Sequence, residues 1–193
     1  MKLTKAYTLE QEDTIKRNYA THISWGNNPF IHDRYMILKE FCAGAKTILS
    51  VGSGGVEPSA IHATHACDVH AVAGQLLKSN GWKGQFFISS CDNIKLPGGS
   101  IDAAVCSEVI EHLPSLDIVK NTFLELNRVA KRWMVTTPNS DVAKPENQDK
   151  SHIHFWNEQK IKDILPADLF PKLKIYTKGV FIYITKNERR ISA

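Results

Sequence analysis

The sequence predicts an α/β protein: a mostly parallel, doubly wound sheet with helices on both faces and an antiparallel C-terminal hairpin. Three observations carry this. From Lys46 onward, short and nearly continuous apolar β runs alternate with helical stretches, the pattern of strands covered on both faces. A glycine-rich turn follows the first of these runs. The last two β runs flank a short turn containing glycine, which is a hairpin signature. A chain of 193 residues suits one domain and can bury about 70% of its unfolded surface.

The expected organisation is a single domain over 1–193, with a helical N-terminal lid over 1–45 and an α/β core over 46–193. Thr8 can cap a helix reaching Tyr19, with Glu10 and Glu12 near its positive end. Pro29 suits the first position of a second helix, in which Ile31, Tyr35, Leu38, Phe41 and Cys42 recur at helical spacing and Gly44 is the stop. Strands are expected over 47–51, 66–69, 85–89, 101–106 and 132–137. Helices are expected over 71–79 and 116–130, the latter with Leu116, Val119, Phe123, Leu126 and Ala130 on one stripe. A short helix over 157–165, capped by Asn157 and stopped by Pro166, precedes the hairpin strands 173–177 and 180–185, joined at Lys178-Gly179. The total is seven strands.

Composition excludes several classes. Apolar residues at 42% and charged residues at 23% are ordinary globular values, unlike a disordered tail, a fibre or a coiled coil. A net charge of +4 permits an anionic ligand but is not the dense basic stripe of a dedicated nucleic-acid binder. No stretch approaches the ~18 apolar residues that span a bilayer. Met1-Lys2-Leu3-Thr4-Lys5 runs into Glu10, Glu12 and Asp13 without the apolar core of a signal peptide. Cys42, Cys67, Cys91 and Cys106 are widely spaced and form no C-x-x-C pair, so reduced thiols in a cytoplasmic protein are expected. No membrane partner is expected, and the chain is expected as a monomer or homodimer.

The run Ser50-Val51-Gly52-Ser53-Gly54-Gly55-Val56-Glu57-Pro58 follows the first strand, where glycine admits positive φ and close approach of a ligand. Position 57 breaks the dinucleotide pattern G-x-G-x-x-G, and no Lys-Ser/Thr pair makes a P-loop. A nucleoside without a phosphate chain therefore fits better than NAD or ATP. Asp68 ends the second strand at the edge where open α/β sheets bind ligands, and its carboxylate can accept both ribose hydroxyls. Asp92 follows the third strand and can read the amino edge of an adenine.

These blocks resemble class I S-adenosylmethionine-dependent methyltransferases, in particular the type 11 group, over about residues 47–156. The matching stretches are ILSVGSGG, CDVH, CDNIKLPGGSIDAAVCSEVIEHL and RVAKRWMVTTPN. The resemblance implies a Rossmann-like seven-stranded sheet, S-adenosyl-L-methionine as cofactor and an enzyme that transfers methyl groups. It implies that Gly52, Ser53, Gly54 and Gly55 pass the methionine part of the cofactor. Asp68 and Val69 would hold the ribose and flank the adenine, Asp92 and Asn93 would bind the adenine edge, and Ser107 with Glu108 would line the reactive end. The chain departs from the family at Ser50, where an acidic residue is usual, and at Val56, where a third glycine is usual.

The acceptor is narrowed by absence. Cys106-Ser107-Glu108-Val109 is not the Asn/Asp-Pro-Pro-Tyr/Phe of exocyclic-amine DNA enzymes, and Cys106 lacks the preceding Pro of cytosine C5 enzymes and reads as a core thiol. Glu108, Glu111 and His112 could share one face of a helical turn, and His152 could join them from Ser151-His152-Ile153-His154-Phe155-Trp156. Small-RNA 2′-O-methyltransferases and quinone-biosynthesis O-methyltransferases look similar here. The cluster can be read as ligands for a hard or borderline cation, as a His112 base or acceptor-orienting group beside Glu108, or as purely structural. The expected catalytic residues are His112 and Glu108, with no metal assigned. His62, His65 and His70 are expected on the cofactor side without ligand spacing, and Tyr19, Trp25 and Arg34 could close over the cofactor. The expected activity is methyl transfer to a small-molecule or nucleotide-like acceptor, oxygen favoured. Its rivals are a metal-assisted RNA or nucleotide 2′-O-methyltransferase, with nucleic acid as partner, and a non-catalytic cofactor-binding relative.

Overall fold

The computed structural model describes residues 29–186. The expected first helix from Thr8, and the lid positions Tyr19 and Trp25, lie outside them. Helix α1 (Pro29–Cys42) leads into β1 (Ile48–Val51), α2 (Glu57–Ala60), β2 (His65–Asp68), α3 (Ala71–Ser79) and β3 (Gln85–Ile88). The second half follows as β4 (Ile101–Ser107), α4 (Leu116–Val129), β5 (Ala130–Pro138), α5 (Glu158–Ile164), β6 (Lys174–Lys178) and β7 (Phe181–Lys186). The seven strands form one sheet in the order β3-β2-β1-β4-β5-β7-β6. β1 to β5 pair in parallel, and β7 pairs antiparallel with both β5 and β6.

The pleat divides the core in two. Leu49, Val51, Ala104, Cys106, Trp133 and Val135 point to the face covered by Val119, Phe123 and Leu126 of α4. Ile48, Ala103, Val105 and Met134 point to the other face, covered by Leu38 and Cys42 of α1. Burying one such side chain contributes roughly 1.5–3 kcal/mol, so the two apolar stripes fix which face each helix covers. Ser115 caps α4 by accepting from Ile118 N–H, and Asn157 caps α5 by accepting from Lys160 N–H. Leu116, expected on the buried stripe, is half exposed in the first turn of α4.

The hairpin connection differs from expectation. The hairpin turn is Gly179-Val180, with Lys178 already paired to Phe181. Gly179 at φ 60° occupies the first central position, the site where a II′-type turn needs glycine. The crossover from β1 to β2 contains one four-residue helical turn, α2, because the sequence between Val51 and His65 is too short for more.

Candidate functional site

Strand order reverses between β1 and β4, so their carboxyl ends flank the crevice where open α/β sheets take ligands. The glycine turn leaves β1 with Gly52 and Ser53 donating to the Cys67 carbonyl at 2.9 and 3.1 Å. Gly52 has φ 66°, and a Cβ there would lie 2.4 Å from the Val109 side chain. Gly52 thus serves the close packing of the turn against the segment after β4. Asp68 ends β2, 4% exposed, and accepts from Gly54 N–H at 3.2 Å and His70 N–H at 2.9 Å. These bonds hold the carboxylate against the turn, and Val69 beside it is exposed. At the tip of β3, Ser90 donates its hydroxyl proton to Asp92 and Asn93 N–H bonds the Ser90 carbonyl. The predicted cofactor residues therefore share the carboxyl edge of β1, β2, β3 and β4.

Beyond β4 the sequence-based picture changes. Glu108 adopts φ 56°, a conformation that costs a non-glycine residue on the order of 1–3 kcal/mol and that clusters at functional sites. The left-handed residue breaks the expected helical turn, so Glu108 and Glu111 go different ways. Glu108 faces α1, where Arg34 Nη1 lies 3.3 Å away, and it accepts from the Thr136 hydroxyl at 2.9 Å. Arg34, 6% exposed, also lies against the Tyr35 and Phe181 rings. Its place is the floor of the site, where a lid position had been expected. Glu111 is fully buried and accepts from the Thr137 hydroxyl, while its Oε1 has no partner. Burial raises the Glu108 carboxyl, opposed by Arg34, and raises Glu111 well above the usual carboxylate range, with the Glu108 charge adding to the effect.

His152 returns to this edge as expected, its ring centroid 4.7 Å from that of His112. Ligand atoms of Glu111, His112 and His152 all lie within 4.8 Å of one another, without Glu108. Gln148 donates its amide to the Ala143 carbonyl, which turns its oxygen to His152 Nδ1 at 2.9 Å. His112 Nδ1 contacts the Ser151 carbonyl at 3.3 Å and the Ser151 hydroxyl at 3.2 Å, whose own proton is donated to Asp149. A carbonyl only accepts, so both carbonyl contacts call for the proton on Nδ1 and leave each Nε2 lone pair free. His112 is exposed and His152 half-buried; desolvation draws both imidazoles below the ordinary value near 6.5, His152 to about 4 with help from His112, so the neutral form dominates at pH 7.

One histidine expectation is corrected, and the expectation of reduced, buried thiols holds. His62 and His65 line an open groove of about 700 Å³ at the amino edge of β2 and β3, beside Trp82 and Gln85, on the side opposite the crevice. The single-turn crossover puts them there by reaching β2 from below. His70 alone of the three adjoins Asp68. The four cysteines are free and buried, and burial pushes the Cys106 thiol well up, which leaves it inert.

Glu57 is the functional candidate that the sequence reading passed over as a flaw in the glycine pattern. It is 7% exposed and its Oε1 accepts from Ser50 Oγ at 2.8 Å. Burial pushes its carboxyl up to about 7 against the pull of Ser50 and Arg34. An acid whose folded value lies above the unfolded one near 4.5 stabilises the fold fully below that unfolded value. The contribution is lost as pH rises through about 7. Glu57→Gln cannot lose that proton. Its stability relative to wild type should therefore rise by up to about 3 kcal/mol between pH 5 and 8, read by urea denaturation; a constant difference would show that Glu57 does not titrate there.

Residues 49–133 match the model of a family described as a methyltransferase domain. Over that span the chain is similar to a methyltransferase domain. The matched span runs from β1 through the glycine turn, Asp68, Asp92 and the segment after β4 into β5. No curated protein matches the chain by sequence. Among solved structures, the domain is similar to the N-methyltransferase NodS from Bradyrhizobium japonicum in complex with S-adenosyl-l-homocysteine, at TM-score 0.67 and 13% identity over 92% of this chain and 98% of that one. A possible histamine N-methyltransferase from Thermotoga maritima aligns at TM-score 0.59 and 11% identity, covering 84% and 98%. The methyltransferase domain of the bacterial protein CtHen1 aligns at TM-score 0.62 and 18% identity, covering 79% and 96%. The expectation of an S-adenosylmethionine-dependent methyltransferase agrees with this family match and fold. No described helix is long and apolar enough to cross a membrane.

Proposed function

We propose that this chain transfers a methyl group from S-adenosylmethionine to an oxygen of a small-molecule or nucleotide-like acceptor. The carrying observation is a neutral His112, with Nε2 free, beside the crevice that begins at Asp68 and Gly54. When bound, the cofactor supplies an electrophilic methyl on a sulfonium. The residues present fit it: two carboxylates at successive strand tips, a positive-φ glycine turn, and a buried Arg34 Nε without a partner at the far end of the crevice. Asp68 and Val69 hold and flank the nucleoside, Asp92 and Asn93 meet its base, and Gly52, Ser53, Gly54, Gly55 and Ser107 border the amino-acid end. Glu108, fixed by Arg34 and Thr136, walls the acceptor side. His112 takes the proton that a hydroxyl acceptor must lose.

Titration calorimetry tests the cofactor half of this reading. Wild type should bind S-adenosylhomocysteine, and Asp68→Ala should weaken binding by about 1.5–3 kcal/mol, the scale of hydrogen bonds to a charged group. Equal affinity in the variant would remove Asp68 from the ribose role, and binding of NADH instead would refute the reading. Release of S-adenosylhomocysteine across hydroxyl and amine acceptors tests the other half; binding without turnover on any of them would favour a non-catalytic relative.

A metal-assisted nucleotide 2′-O-methyltransferase is the second reading. It is favoured by the convergence of Glu111, His112 and His152 and by the unpartnered Glu111 Oε1. Loss of turnover on chelation, restored by a divalent cation, would select it.

A further inference from the structure

On the α1 side of the sheet, the inward row is apolar at Ile48, Ala103, Val105 and Met134. At the carboxyl tips the same row continues as Ser50, Ser107 and Thr136, all buried. Small hydroxylated side chains at core-facing positions leave both room and hydrogen bonds for a charged group. Glu57 occupies that room. Its carboxylate accepts the Ser50 hydroxyl proton from β1, and the Ser107 hydroxyl at the end of β4 acts to hold it ionised. It is thereby held between the two strands that flank the crevice.

The charges around it do not balance. Arg34 is the cation that acts on Glu57, Glu108 and Glu111, and its close ion pair among the described residues is with Glu108. One guanidinium thus serves three carboxylates inside the domain. Burying a carboxylate without a full counter-charge is costly, and the cost falls when a cation arrives beside it. Glu57 lies where the glycine turn meets Ser107, next to the residues bordering the amino-acid end of the cofactor.

Resting on the S-adenosylmethionine reading above, we infer that Glu57 binds the α-ammonium group of the cofactor, with Ser50 holding the carboxylate in position. The acidic group that β1 lacks at Ser50 is thus delivered from the first turn of α2, seven residues later. An ammonium offers three N–H donors and one positive charge, which matches the remaining lone pairs of Glu57 and gives it a counter-charge. Desolvation raises the Glu57 carboxyl, and a cation placed beside it would favour the charged form. Ser50 Oγ donates to Oε1, which fixes the carboxylate rotamer at no charge cost.

Calorimetry at pH 8 with three probes tests this: S-adenosylmethionine, S-adenosylhomocysteine and 5′-methylthioadenosine, which keeps the nucleoside and thioether but has no amino-acid end. Glu57→Gln should weaken the first two by tenfold or more and change methylthioadenosine by less than twofold. Unchanged affinity for all three, or equal weakening of all three, would overturn the inference, the latter because it reports general damage to the crevice. Should Glu57→Gln fail to fold, Ser50→Ala releases the carboxylate without removing it and should give the same split, with a smaller loss; no split would overturn the assignment. If wild type binds none of the probes, the cofactor reading itself falls and takes the inference with it.

Discussion

Arg34→Met should destabilise the protein by about 3–5 kcal/mol, the range for removing one partner of a buried ion pair. Methionine keeps most of the volume between the Tyr35 and Phe181 rings, so the loss is mainly electrostatic. Glu108 would be left with the Thr136 hydroxyl and the Glu111 and Glu57 charges nearby. Its escape is to take up a proton, which makes the deficit smaller at pH 5 than at pH 8. Adding Glu108→Gln to Arg34→Met should recover most of the loss, because the amide keeps the Thr136 contact and carries no charge. Urea denaturation of the four members of this cycle reads the coupling directly. A single-variant loss under 1 kcal/mol would mean that water already compensates Glu108 and that the pair is not structural.

The fold was legible because its signals are periodic. The nearly continuous apolar run along 101–107 and the stripe Val119, Phe123, Leu126 place β4 and α4 with little help from tertiary context. Asp68 and Asp92 were legible for a topological reason: a carboxylate just after a parallel strand has only the carboxyl edge to occupy. What sequence could not supply was direction where periodicity stops. Glu108, Glu111 and His112 have helical spacing, yet the left-handed conformation at Glu108 sends it to α1 while Glu111 turns to Thr137. Arg34 sits on the apolar stripe of α1, and its burial follows from a partner 74 positions away that no local pattern announces. Glu57 was read as a broken glycine motif; the available signal was its pairing with an unexpected Ser50 seven residues earlier. His62 and His65 were misplaced because a crossover of one helical turn carries them to the opposite edge.

His112→Ala should lower turnover by about 10²–10⁴-fold, the usual worth of a positioned general base, while S-adenosylhomocysteine affinity stays within twofold. The argument rests on what each imidazole offers. His112 is neutral with its Nδ1 committed to Ser151, and a ring nitrogen of it lies within 4.8 Å of ligand atoms of His152 and Glu111. His152 is committed to Gln148 and its own burial keeps it uncharged. A base at His112 needs neither Glu111 nor a cation, so His152→Ala should cost less than tenfold and EDTA should change nothing. A metal centre needs all three ligands, so His112→Ala, His152→Ala and Glu111→Gln would then fall together, and EDTA would reproduce them. Full turnover in His112→Ala and His152→Ala alike, on the true acceptor, would leave positioning of the acceptor between Glu108, Arg34 and the glycine turn as the whole of the catalysis.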